Sequence, residues 1–347
     1  MTTMTLGAAI GAGLRRALED DPKVVLLGED IGRLGGVYRV TDGLQRDFGD
    51  RRVVDTPLAE SGILGTAVGL AYRGWRPVCE IQFDGFVYPA FDQIVSQVAR
   101  MRARTGGAVS MPITIRIPVG GGIGAAEHHS DSPEAYFAHT PGLRVVSVAT
   151  PQDAYDTIID AVVSDDPVVF FEPKRLYHVR GEVLSRAERE TGVNGQGVGG
   201  TGSGEMGGAR VVVPGTDVTL VTFGGLVRVA LDAARAAAAE GVSIEVVDLR
   251  SLSPIDHETV AASVRRTGRI VIAHEAPESV GLGAEVAAAV VERCFASLEH
   301  APVRVTGWDI PYPPARVERH HVPDLDRILD GVDHALGKPS SFDEGAA

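Results

Sequence analysis

The stretch Asp55 to Gly62, D-T-P-L-A-E-S-G, sets one carboxylate, Glu60, at the opening of a small-residue-rich helix expected over 63–72, just after a short strand over 52–55. An acid in a first helical turn is favoured by the helix dipole, and alone it reads as a capping residue. Phe86 lies in I-Q-F-D-G-F-V-Y-P-A-F-D-Q-I, where its plain reading is a core ring beside Phe83 and Phe91. His128 and His129 form a doublet ahead of S-D-S-P-E-A-Y-F-A-H-T-P-G. Imidazole titrates near neutrality and can carry a proton, although an isolated histidine is ordinarily a hydrogen-bonded structural residue. Glu29, in G-E-D-I after a short buried strand, reads equally as a solvated loop acid or as a residue bordering a site.

One glycine motif invites a different chemistry. The strand expected over 113–117 runs into G-G-G-I-G-A, so Gly120, Gly122 and Ala125 satisfy a loose G-x-G-x-x-A dinucleotide fingerprint. That fingerprint needs an amphipathic helix next and an acid closing the following strand. Here E-H-H-S-D-S-P follows, with Pro133 in it, and the next strand carries no terminal acid. Nicotinamide binding is set aside, and no G-x-x-x-x-G-K-[ST] phosphate loop occurs. The glycines are read as allowing close backbone approach.

The elements that must position these residues alternate strand and helix, which argues for an α/β fold with mostly parallel sheets covered on both faces. Strands are expected at 24–27, 78–81, 113–117, 143–148 and 168–171, and helices at 6–18, 63–72, 90–104 and 151–163. The 151–163 helix opens with T-P-Q-D, Thr150 as N-cap and Pro151 as its first residue. Asp92 and Gln93 are expected to cap their helix or to meet a neighbouring subunit. Nine of the seventeen residues from Gly192 to Gly208 are glycine, a composition that buries little and links domains. We therefore expect a first domain over 1–190, a glycine-rich linker over 191–208, a second domain over 209–337 and a flexible tail over 338–347. The second domain restarts the alternation with strands at 218–222, 244–247, 270–273 and 303–306 and helices at 227–240, 284–295 and from 325.

The chain has 347 residues and a formal net charge of −13, a balance that excludes the basic face nucleic acid requires. No apolar run reaches the roughly 18–20 residues of a membrane span. No basic n-region with a cleavage site opens the sequence. Cys79 and Cys294 stand far apart without a C-x-x-C pattern, which fits a reducing compartment and offers no zinc site. A cytoplasmic location is expected.

Together the Glu60, Phe86 and His129 segments resemble the beta subunit of the thiamine-diphosphate-dependent 2-oxoacid dehydrogenases, closest to the branched-chain type. The resemblance runs from about Leu6 to Leu336, is densest over 54–142, and returns in F-E-P-K-R-L-Y (Phe171 to Tyr177), which favours the branched-chain group. L-R-S-L-S-P-I-D (Leu249 to Asp256) is similar to a motif of transketolase C-terminal domains, and H-E-A-P-E-S-V-G-L-G-A-E spans His274 to Glu285. It implies a transketolase-like pyrimidine-binding domain followed by a transketolase C-terminal domain.

By this resemblance Glu60 is the acid bonded to the aminopyrimidine nitrogen of thiamine diphosphate, which requires a desolvated carboxylate in a charge-assisted bond. Phe86 lies against that ring, and Glu29 borders the site. His129, the histidine directly before Ser130, serves reductive acylation of lipoyl groups, with His128 as a helper and His139 as structural. The family's diphosphate and Mg²⁺ anchor, a G-D-G followed by an asparagine, does not occur in this sequence. That absence implies an alpha subunit carrying the anchor in an α₂β₂ heterotetramer. Ile113, Ala161, Val162, Ser164 and Asp166 match positions that hold a structural potassium ion in several members, mostly through backbone carbonyls. The implied activity is oxidative decarboxylation of a branched-chain 2-oxoacid, with the acyl group passed to lipoyl-lysine of the acyltransferase core, whose lipoyl and subunit-binding domains are further expected partners. Pyruvate or acetoin is the alternative substrate, and a non-catalytic assembly subunit is the alternative from another class. The glycine-rich segment departs from the usual family loop.

Overall fold

The computed structural model describes residues 1–185, 188 and 206–346. It divides into two compact units, Met1–Pro118 with Thr140–Gly207, and Val119–His139 with Gly208–Ala347. The glycine-rich linker expected over 191–208 lies outside the described residues up to position 205.

In the first unit the strands are β1 (Thr2–Thr5), β2 (Val24–Gly28), β3 (Val53–Asp55), β4 (Arg76–Glu80), β5 (Thr114–Val119), β6 (Arg144–Ser147), β7 (Val168–Pro173) and β8 (Arg180–Val183). Their sheet runs β6-β7-β5-β4-β2-β3, and β2 pairs in parallel with β3 and β4, β4 with β5, and β6 with β7. Strands β2, β5 and β7 are buried along their whole length, as apolar runs covered on both faces must be. A separate antiparallel pair joins β1 to β8.

Helix α1 (Leu6–Asp20) and helix α6 (Pro151–Val163) cross closely. A Cβ at Gly13 would lie 2.3 Å from Ile158 Cγ2, so only glycine allows this approach. As expected, Thr150 caps α6, its hydroxyl accepting from the Asp153 amide, with Pro151 opening the helix. Between them lie α2 (Leu44–Phe48) and α3 (Glu60–Tyr72). The helix expected over 90–104 is broken into a 3₁₀ segment (Asp84–Ala90), a π-helical segment (Gln93–Val98) and α4 (Met101–Arg104). The Ala99 amide reaches back five residues to the Ile94 carbonyl at 2.9 Å, the widened turn that defines a π-bulge.

In the second unit α5 (Glu134–Ala138) precedes β9 (Arg210–Val213), β10 (Val218–Thr222), α7 (Val227–Ala239), β11 (Ile244–Asp248), β12 (Ser251–Ser253), α8 (His257–Thr267), β13 (Ile270–Pro277), α9 (Leu282–Cys294), β14 (Val303–Gly307) and α10 (Leu325–Ala335). Its five-stranded sheet runs β14-β13-β10-β11-β9, parallel except for the antiparallel edge β9. After residue 337 the chain turns into a 3₁₀ segment, Ser341–Ala346. The Ser341 amide donates to Asp330 Oδ1 at 3.0 Å, and the Phe342 ring stacks on His334 with centroids 5.3 Å apart. One aromatic side chain gives the tail apolar surface to bury against the core.

Candidate active site

Ligands of open parallel sheets bind beyond the carboxyl ends of the strands, where successive connections leave in opposite directions. Here β2 continues to β3 on one side, while its other neighbour β4 continues to β5. The switch point therefore falls between the ends of β2 and β4. Glu29 directly follows β2, and the 3₁₀ segment bearing Phe86 follows β4.

Three contacts hold the loop after β2. The Thr41 hydroxyl donates to the Ile31 carbonyl at 2.6 Å, and the Asp55 carboxylate accepts from the Gly32 and Arg33 amides at 2.6 and 3.1 Å. Asp55 ends β3, so one acid ties the Glu29 loop to the strand that leads to Glu60. Glu60 is the first residue of α3, and both Glu29 and Glu60 are buried, 8% and 7% exposed. Burial, then the Glu60 charge and then Asp30, raise the pKa of Glu29 above the usual carboxylate range. The buried Glu29 Oε1 has no hydrogen-bond partner among the described residues. The structure therefore brings Glu29 and Glu60 within electrostatic reach, at the dipole-positive end of a helix.

Phe86 is half-buried, its centroid 6.2 Å from that of Phe83, edge to face. Phe83 meets Tyr38 at 6.1 Å, and Tyr38 meets Tyr177 at 4.6 Å. On the same 3₁₀ segment as Phe86, Asp84 accepts from Lys174 Nζ at 2.6 Å, with both side chains fully buried. Beneath runs a second ionic cluster. Arg116 grips both oxygens of Glu172 at 2.6 and 3.0 Å and donates to Glu80 at 2.6 Å, while the Tyr177 hydroxyl donates to Glu172 at 2.6 Å. Burial opposes the Arg116 charge, yet Glu172 and Glu80 raise its pKa. Two acids face that one guanidinium, and the pKa of Glu80 is raised, first by burial and then, against Arg116, by Glu172.

None of Asp84, Arg116, Glu172 or Lys174 is singled out by the sequence reading. Their signal is a charge within or beside an otherwise apolar strand, as in T-I-R-I-P-V and V-V-F-F-E-P-K. Asp92 is exposed and makes no capping bond to a backbone amide; it accepts instead from the Ser96 hydroxyl at 2.9 Å.

His128 and His129 belong to the second unit. They form a 3₁₀ turn, Glu127–His129, with ring centroids 4.1 Å apart; His128 is exposed and His129 half-buried. The Ser130 hydroxyl donates to the Ala126 carbonyl at 3.1 Å, and the Gly120 amide to the Asp131 carbonyl at 2.9 Å, closing the loop that carries them. His139 is exposed at the end of α5. In that helix Glu134 is buried; desolvation, with Glu275 adding to it, pushes its pKa up to about 8.

At the turn after α6, Arg76 Nη1 donates to the carbonyls of Val162, Val163 and Ser164 at 3.3, 3.1 and 3.0 Å. The carbonyls of Ile113, Ala161 and Asp166 accept from the Val168 amide, the Ser164 amide and the Ser164 hydroxyl. Each of the five residues expected to ligate potassium thus has its carbonyl accepting from a protein donor, with Arg76 serving Val162 and Ser164. Among the described residues no group of three His, Cys, Asp or Glu side chains gathers as a metal-ligand set. No helix among them is long and apolar enough to cross a membrane.

Residues 2–180 match the family model of the transketolase pyrimidine binding domain, and residues 207–328 that of the transketolase C-terminal domain. The chain is 58% identical to the pyruvate dehydrogenase E1 component subunit beta of Leifsonia xyli, over 94% of this chain and 93% of that protein. It is 51% identical to the 3-methyl-2-oxobutanoate dehydrogenase subunit beta of Mycobacterium tuberculosis, over 97% and 93%. It is 46% identical to the 2-oxoisovalerate dehydrogenase subunit beta of Pseudomonas aeruginosa, over 91% and 90%. Among solved structures, a split gene transketolase described as an inactive beta4 tetramer superposes with a TM-score of 0.76 at 25% identity, over 96% of this chain and 98% of that one. The chain belongs to the beta subunits of the 2-oxoacid dehydrogenase E1 components, thiamine-diphosphate-dependent oxidoreductases built on the two transketolase domains.

Proposed function

We propose that this chain supplies the pyrimidine-side half of a thiamine diphosphate site, with an alpha subunit in an α₂β₂ heterotetramer supplying the diphosphate and Mg²⁺ half. The observation that carries the reading is the buried Glu29–Glu60 pair at the sheet's switch point, with an oxygen of Glu29 lacking any hydrogen-bond partner among the described residues. A buried polar atom left unsatisfied calls for a ligand group to meet it. Thiamine diphosphate, when bound, supplies a carbon nucleophile for the 2-oxoacid. Glu60 holds a proton at the aminopyrimidine nitrogen, and its burial suits a short charge-assisted bond there. Glu29 stands within electrostatic reach of Glu60, and burial together with that charge raises its pKa, since two neighbouring buried carboxylates do not both ionise readily. Phe86 offers its half-buried ring as a stacking face. His129 handles a proton during acyl transfer to lipoyl-lysine of the acyltransferase core, with the lipoyl and subunit-binding domains of that core as partners. Potassium enters no step. Residues 1–190 are read as the pyrimidine-binding domain and 209–337 as the C-terminal domain, in a cytoplasmic enzyme.

For substrate we propose a branched-chain 2-oxoacid, on the F-E-P-K-R-L-Y segment and the two branched-chain relatives at 51% and 46% identity. The second reading is pyruvate, favoured by the 58% identity to a subunit of that name. Co-expression with the alpha subunit and a panel of 2-oxoacids separates them: higher kcat/KM for 3-methyl-2-oxobutanoate supports the first, higher kcat/KM for pyruvate the second. Full turnover by this chain alone would contradict the divided site.

A further inference from the structure

We infer that Glu275 and Glu318 are positioning residues for His129, acting as a carboxylate clamp on the glycine loop that carries it; this rests on the role proposed above for His129. The loop leaves the end of β5 with Gly120, Gly122 and Gly124 at φ of +81°, +81° and +72°. Such turns direct successive backbone N–H groups into a concavity that takes an anion. Here the anions are side chains of the same compact unit. The Gly121 amide donates to Glu275 Oε2 at 3.1 Å, and the Gly122 and Gly124 amides donate to Glu318 Oε2 and Oε1 at 3.2 and 2.9 Å. The Tyr312 hydroxyl donates to the same Glu318 Oε2 at 3.0 Å and accepts from the Gly122 amide at 3.3 Å. It stands so close that a Cβ at Gly121 would lie 1.7 Å from it. Both oxygens of Glu318 are thus used, in charge-assisted bonds stronger than neutral ones.

The consequence for His129 is geometric. The clamp grips positions 121 to 124, the Gly120–Asp131 bond closes the loop's base, and the histidine turn spans 127–129. Fixing one limb and the base of so short a loop restricts where its other limb can sit. Glu275 lies near the end of β13 and Glu318 in the 3₁₀ turn Glu318–His320, so elements far along the chain, in the loop's own compact unit, supply the acids that hold it.

The test uses the assembled enzyme carrying Glu318→Ala, Glu318→Gln, His129→Ala, or the first and third together. Decarboxylation is read with an artificial electron acceptor and lipoyl acylation with a lipoyl domain, alongside hydrogen exchange of the 120–131 amides. Glu318→Ala is expected to speed exchange there and to reproduce the kinetic pattern of His129→Ala, with acylation reduced about tenfold or more. Glu318→Gln, which keeps one acceptor oxygen, falls between. The double variant is no slower than His129→Ala, since the two act as one unit. Faster exchange without a change in either step, or losses that multiply in the double variant, would overturn the clamp. Equal loss of both steps in His129→Ala would instead overturn the role given to the histidine, while a matching pattern in Glu318→Ala would still uphold the clamp.

Discussion

Lys174 Nζ sits 2.6 Å from Asp84 Oδ1, with neither side chain exposed, and this pair joins the end of β7 to the segment that bears Phe86. The Lys174 ammonium also lies 6.0 Å from the centre of the Phe83 ring, next to Phe86 in the aromatic row. Removing one member of a buried pair strands the other charge and costs about 3–5 kcal/mol, whereas replacing both by apolar groups costs far less. Lys174→Met is therefore expected to lower the melting temperature of the assembled enzyme sharply. Lys174→Met with Asp84→Leu should restore most of it, and equal losses in the two variants would refute the pairing.

Glu60→Gln is expected to cut decarboxylation by about 10²-fold or more while the complex still assembles, since a general acid–base is typically worth 10²–10⁴-fold. Near-normal turnover would remove the residue from the mechanism. At Glu29 the same change should be mild, within about tenfold, because that residue borders the site while Glu60 handles the proton. Steady-state kinetics and sedimentation of the two variants decide both points.

Glu134 carries a pH signature. Its pKa in the folded chain is pushed up to about 8, above the ordinary glutamate value, so the folded state keeps a proton that the unfolded state has lost. Between the two values stability falls as pH rises. Glu134→Gln removes that slope, and it should raise the melting temperature at pH 8 relative to pH 5 by roughly 2 °C or more compared with the parent. Parallel curves for parent and variant across this range would show that Glu134 ionises without cost.

The divided site predicts that thiamine diphosphate quenches fluorescence of the mixed alpha and beta chains at micromolar cofactor, and of this chain alone only at far higher concentration. Tight binding to the isolated chain would place the phosphate anchor here as well.

Local signals were readable from sequence, and distant ones were not. Thr150 and Pro151 announce the start of α6 because a cap and an N-terminal proline are chemistry of neighbours. The same local chemistry bounds α8, absent from the expected elements, where Asp256 caps the helix and Gly268 closes it with φ +69°. The π-helical segment has no counterpart in hydrophobic period, since one added residue per turn is set by packing. Lys174 and Asp84 stand 90 residues apart, and only the folded sheet reveals that they pair. Glu60, Phe86 and His129 were legible as a set of motifs, but the carboxylates that hold the histidine loop were not, because their partners are backbone amides. The potassium expectation followed family positions, and the reach of Arg76 to the Val162 and Ser164 carbonyls, 86 and 88 residues away in the chain, has no local signal.

Arg76 opens β4 at the end of the sheet opposite Glu29 and Phe86, and its fork ties Asp165 and Asp21 to the turn after α6. Arg76 thus fastens the first unit's sheet at the strand ends away from Glu29 and Phe86. An engineer can therefore work on heat resistance around Arg76 at a distance from Glu29 and Phe86, whereas changes near Phe86 must respect the buried Lys174–Asp84 pair that supports it.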